Sequence, residues 1–189
     1  MKIPMKKIIL PLLFLMVSCE KEKVTEPSKV DIPIAEEVSS KTKDNKEAES
    51  AKAWLTNAIY TQFNSPDHLG EEHWEKITTP DYFSYKTDAM NVDMDVEGSL
   101  SENEFEDKWK NKFNPKKAGV GLGFLIDAQD WDKIELTKCD LLSEENNTFL
   151  FDVNLLDTGF KANYTMQIKV VKKDSQFLIA DVLQDQPNN

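Results

Sequence analysis

The apolar positions of this chain change period part-way along it. Between residues 50 and 63, Ala51, Trp54, Leu55, Ala58, Ile59 and Gln62 recur at steps of three and four, the spacing of one helical face. Asn64-Ser65-Pro66-Asp67 stops that helix. A short second helix is expected over 71–77, ahead of Thr79-Pro80. Tyr82 to Val92 follows a proline and shows no clean helical stripe. Ser101-Glu102-Asn103-Glu104 has the S-x-x-E form of a capping box. Phe105, Trp109 and Phe113 follow at four-residue intervals until Asn114-Pro115. From residue 134 the period is two. Phe149, Phe151, Val153 and Leu155 alternate with Leu150, Asp152 and Asn154, and Tyr164, Met166, Ile168 and Val170 alternate with Thr165, Gln167 and Lys169. Asp157-Thr158-Gly159 predicts the turn between these two strands. A further strand is expected over 134–142, where the apolar phase slips between Leu136 and Cys139 in the manner of a bulge. Phe177 to Val182 is apolar on both faces, which predicts an interior strand.

Helices followed by an antiparallel meander predict an α+β domain, its N-terminal helices packed on a curved sheet. A bulged sheet wrapped by helices can form a cone with an open mouth. The helix at 50–63, Thr79-Pro80, Gly123-Phe124-Leu125, Ala128-Gln129-Asp130-Trp131 and the closing Phe177–Val182 strand together resemble the nuclear transport factor 2-like (cystatin-like) superfamily, nearest to its bacterial lipoprotein and secreted members. The resemblance spans roughly residues 48–185 and implies the cone-like fold. That superfamily hosts isomerases, dehydratases, secretion components and plain binding domains, so the fold leaves the function open. Its enzymes use a Tyr, His or Asp cluster inside the cone. No such cluster maps position by position here, and no catalytic residue is carried over.

The N-terminus changes the setting of the domain. Lys2, Lys6 and Lys7 precede ten uncharged, mostly apolar residues, Ile8 to Val17. A membrane-spanning helix needs about 20, whereas a signal peptide needs no more than this. Met16-Val17-Ser18-Cys19 resembles a lipobox, so residues 1–18 are expected to be a lipoprotein signal peptide and Cys19 the lipidated residue. Glu20 to Glu49 is polar and contains no aromatic residue; residues 19–47 are accordingly expected to be a disordered tether, ahead of one domain at 48–189. The expected location is the cell envelope, with the lipid bilayer as partner through the acyl chains. Glu20 stands where an Asp would retain a lipoprotein at the inner membrane, which favours the outer membrane. Cys139, the second of two cysteines, then has no internal partner and is expected in the core.

Charge narrows the ligand classes. The formal net charge is −11, and about −14 without the three lysines of the signal peptide, a balance that disfavours nucleic acid and anionic headgroups. All 23 basic residues are lysine. The guanidinium fork that usually grips phosphate is absent, which weighs against nucleotide and phosphoryl chemistry. Gly119-Val120-Gly121-Leu122-Gly123 lacks the strand-before, helix-after context of a phosphate loop and is expected to lead into the sheet.

The best local motif runs from Asp93 to Glu104. Read as a twelve-residue calcium loop, it offers Asp93, Asp95, Glu97, Ser99, Ser101 and Glu104 as oxygen ligands, with Gly98 at the sharp turn and the exiting helix starting at Ser101. Glu97 is longer than the usual residue at its position, and Ser101 and Glu104 are equally explained by the capping box. Two readings stay open: a calcium loop with a structural role, or a solvated acidic loop in an acidic protein. His68 and His73 lie about 140° apart on a helix, which is no zinc pair. Asp127, Asp130 and Asp132 flank Trp131 and can line a pocket mouth for a sugar or cation, or form a polar loop around a core-anchored indole. Tyr82, Phe83 and Tyr85 are expected in core and rim, and Lys86 with Asp88 as a local ion pair. The expected function is a non-catalytic domain binding a small ligand or protein. The alternative is a cone-pocket isomerase, dehydratase or hydrolase using a buried carboxylate. A carboxyl of raised pKa beside Tyr or His in a deep pocket separates the two.

Overall fold

A computed structural model describes residues 35–65, 70–128 and 130–184, with side chains from Lys46 onward. The expected signal peptide, Cys19, most of the expected tether and His68 lie outside the described residues. Among the described residues, four helices precede a four-stranded antiparallel sheet of order β1-β2-β3-β4, an α+β arrangement on a curved sheet. No helix among the described residues is long and apolar enough to cross a membrane.

Helix α1 spans Ala35–Asn64. It starts before the position the apolar spacing marks, and Ala48 is already in the core while Glu47 accepts from Lys172 at 2.9 Å. Asn64 closes the helix by donating to the carbonyls of Tyr60 and Ile134. Helix α2, Glu71–Ile77, falls where expected. Helix α3, Pro80–Met90, does not: a segment without an obvious stripe is helical. Its cause is local at one end and tertiary along its length. Thr79 caps it by accepting from the Tyr82 N–H, and Pro80 sits in the first turn, where a missing N–H costs nothing. Its buried stripe is Tyr82, Tyr85, Lys86 and Ala89, and the lysine hides the pattern. Helix α4, Glu102–Trp109, carries the full capping box between Ser101 and Glu104 and buries Phe105 and Trp109. A 3-10 turn follows at Pro115–Lys117.

Strands β1 (Ile134–Glu145), β2 (Thr148–Asp157), β3 (Ala162–Lys173) and β4 (Gln176–Leu183) form the meander. Opposite partners Phe149 and Val170, Phe151 and Ile168, and Val153 and Met166 put one apolar face of β2 and β3 into the core. The expected bulge in β1 is present: the register slips between Leu136 and Lys138, so Leu136 faces Leu155 while Cys139 faces Val153. Cys139 is buried, as its place in the strand predicts. The expectation for β4 is corrected. It is an edge strand, not an interior one. Its outer side is covered instead by the chain before α3 and by the turn after α4. Thr79 N–H donates to the Ile179 carbonyl and Gln184 N–H to the Lys117 carbonyl, both at 2.8 Å.

Candidate functional site

A cavity of about 430 Å³ opens between the helices and the chain leading into β1. The end of α1 supplies Gln62 and Phe63, α2 supplies Glu71 and Trp74, and the last turn of α3 supplies Thr87 and Met90, followed by Asn91. Phe124, Leu125, Ile126 and Trp131 complete it. The size is that of a pocket for a small molecule, and the lining is mostly apolar, with Gln62, Glu71, Thr87 and Asn91 as its polar side chains.

The aromatic walls are held in place. Trp74 lies parallel on Phe124, centroids 4.6 Å apart and planes 8° apart. Phe124 is fixed from other sides by Phe83, stacked at 5.9 Å, and by the edge of Tyr82. Trp131 meets Phe63 edge-on at 5.5 Å, and its indole N–H donates to the Phe63 carbonyl at 3.2 Å. These contacts leave the indoles at defined angles. At the α3 end, Asn91 Nδ2 donates to the Thr87 carbonyl, which fixes the amide orientation.

Trp131 therefore combines the two readings of its sequence neighbourhood: it is anchored in the protein and it also lines a cavity. Its acidic neighbours do not line that cavity. Asp127 faces a separate one, beside Tyr164 and Gln184. The Asp132 N–H donates to the carboxylate of Asp157. Asp157 is buried in the turn after β2. Its burial opposes ionisation, but N–H groups of Phe160, Asp132, Gly159 and Lys133 hold its carboxyl below the usual range.

A second group of polar side chains lies in the interior. Lys86 is fully buried, and its Nζ donates to the carbonyls of Ala118 (2.6 Å) and Gly119 (3.2 Å) and to Gln184 Oε1 (2.6 Å). Gly119 has φ +59°, and a Cβ there would stand 2.6 Å from Gln184 Oε1. The glycine is what lets the amide reach the lysine. Burial pushes the Lys86 ammonium down to about 7, against the pull of Asp181. Asp181 is itself buried, and burial raises its carboxyl even with Lys169 at 3.8 Å. The Tyr82 hydroxyl is buried without a hydrogen-bond partner, and burial together with the Asp181 charge raises its pKa. So a carboxyl of raised pKa beside a tyrosine exists, but none of Asp181, Tyr82 and Lys86 lines the apolar cavity.

The expected Lys86–Asp88 pair is not formed. α3 turns Lys86 inward, whereas Asp88 accepts from Lys108 at 2.6 Å and from the Trp109 indole at 2.7 Å. Tyr82 and Tyr85 are core residues, and Tyr85 donates to the Asn114 carbonyl. In the loop 93–104, Asp93, Asp95 and Glu97 are exposed. Ser99 Oγ is engaged within the loop, donating to the Asn91 carbonyl and accepting from Met94 N–H. Glu104 accepts from the Ser101 N–H and hydroxyl, and those bonds hold its carboxyl below its usual range. Among the described residues no three His, Cys, Asp or Glu side chains are grouped to hold a metal ion.

No family model, no curated protein and no solved structure matches this chain.

Proposed function

We propose that this is a lipid-anchored protein of the cell envelope whose domain binds a small apolar ligand without transforming it. The observation that supports the binding half is the cavity of about 430 Å³ walled by Phe63, Trp74, Met90, Phe124 and Trp131. Fixed ring contacts mean that little side-chain ordering remains for the ligand to impose, which favours affinity. The anchoring half rests on the lipobox-like Met16-Val17-Ser18-Cys19, and the scaffold is read as nuclear transport factor 2-like from helices followed by a four-stranded meander.

One observation favours a second reading, an enzyme acting through a buried carboxylate: the raised carboxyl of Asp181 beside Tyr82. The first reading is preferred because that carboxyl is buried beside Lys169 of β3 and does not line the apolar cavity. The cavity's one titratable lining side chain is Glu71, exposed at the start of α2, and neither a tyrosine nor a histidine lines the cavity with it.

Titration of the mature chain with a neutral solvatochromic dye tests the proposal. The native protein binds one dye per chain with a blue shift. Met90→Trp, which fills the cavity, loses that binding while keeping the native circular dichroism. Equal binding by both proteins would place the dye elsewhere and overturn the proposal.

A further inference from the structure

The walls of the cavity narrow the chemistry of its occupant, and this step rests on the binding reading above. Three observations bear on it. First, four of the lining side chains, Phe63, Trp74, Phe124 and Trp131, are aromatic rings held by contacts with one another. The Trp74 ring is held parallel to Phe124 at 4.6 Å, and Trp131 is pinned by its bond to the Phe63 carbonyl. Preset ring faces favour a partner that is itself flat, since stacking gains are lost on a puckered ring. Second, the lining includes no lysine, and its titratable side chain is Glu71, in the first turn of α2. The C-terminal end of α3, at Met90 and Asn91, also meets the cavity and carries the negative end of the helix dipole. An anion would lose its hydration there and meet like charge. A cation would lose its hydration against Phe63, Leu125 and Ile126 with no buried counter-charge. Third, the polar groups at the α3 end suit a hydroxyl, which both donates and accepts. Asn91 spends one of its two side-chain N–H groups on the Thr87 carbonyl, and its Oδ1 and second N–H are an acceptor and a donor beside the Thr87 hydroxyl.

We propose that the cavity takes a flat, uncharged ring compound bearing one hydrogen-bond donor, such as a phenolic or enolic hydroxyl, with its rings along Trp74 and Trp131 and its donor at the Thr87–Asn91 end. The volume suits a two- or three-ring molecule.

The test is a calorimetric series on the mature chain with four probes of one size: 1-naphthol, 1-methoxynaphthalene, decahydro-1-naphthol and 1-naphthoate. The expected order places 1-naphthol first. The saturated alcohol, which cannot stack, and the carboxylate each bind roughly ten-fold more weakly. The methyl ether, which has lost the donor, falls several-fold. Trp131→Leu reduces naphthol binding and leaves decahydro-1-naphthol binding unchanged. Decahydro-1-naphthol or 1-naphthoate binding as tightly as 1-naphthol, with binding still lost in Met90→Trp, would overturn the ligand class and leave the cavity reading standing. Failure of all four probes to bind would overturn both.

Discussion

Lys86 carries an ammonium into the interior and meets three oxygens there, two of them carbonyls of the chain just after the 3-10 turn and one from Gln184 at the end of β4. The bonds tie α3 to both segments, yet burial still lowers the pKa to about 7. The consequence for stability has a definite sign. Unfolded, Lys86 holds its proton up to about 10.5; folded, it releases it near 7. Between those values the unfolded chain binds more protons, so stability rises with pH. Over pH 7 to 9 the rise from this group has an upper bound of about 3 kcal/mol. Above that range Tyr82 and Tyr85, whose pKa values burial raises, act in the opposite direction. Urea unfolding of the native chain and of Lys86→Met across pH 6 to 9 isolates the effect. The native protein gains stability with pH and the variant gains less. Parallel curves would show that Lys86 does not lose its proton in this range.

At the scale of elements, the helix α3 is the part that the chain's own pattern conceals. A helical stripe needs apolar residues at three- and four-residue steps, and here one of the four is Lys86. Its cap is nevertheless local, and Thr79→Ala is expected to cost about 1 kcal/mol of stability in denaturant unfolding. The Thr79 N–H bond to Ile179 is a backbone contact that the substitution leaves in place. A loss of a few tenths or less would mean that the hydroxyl contributes nothing to α3. By contrast, α4 and the alternation of β2 and β3 are legible because their causes are local: the Ser101–Glu104 box and a two-residue period. The edge position of β4 is not legible, because the residues that cover it, Thr79 and Lys117, are remote in sequence. The cavity is legible only in part. Trp131 among acids announces an aromatic beside a polar loop, but Phe63, Trp74 and Met90 come from three separate helices, and no short motif joins them. The calcium pattern of 93–104 shows the converse. Residues fit a motif by spacing, while Glu104 and Ser99 hold bonds inside the loop and helix cap.

For the whole molecule the account joins an anchor to a cavity. If Cys19 carries lipid, the mature protein partitions into the detergent phase, and Cys19→Ser moves it to the aqueous phase with its fold unchanged, since Cys19 lies far along the chain from Ala48, the first core residue among those described. A Cys19→Ser protein that stayed with membranes would remove the anchor from the account. The central claim concerns the cavity, and methionine methyls report on it directly. Met90 lines it, Met166 lines separate cavities beside β3, and Met94 is exposed on the 93–104 loop. The decisive measurement is a nuclear Overhauser spectrum of methyl-labelled protein with bound 1-naphthol. Cross-peaks are expected from the naphthol ring protons to the Met90 methyl and to the Trp131 indole, and none to Met94 or Met166. Cross-peaks to Met94 or Met166, with Met90 silent, would contradict it.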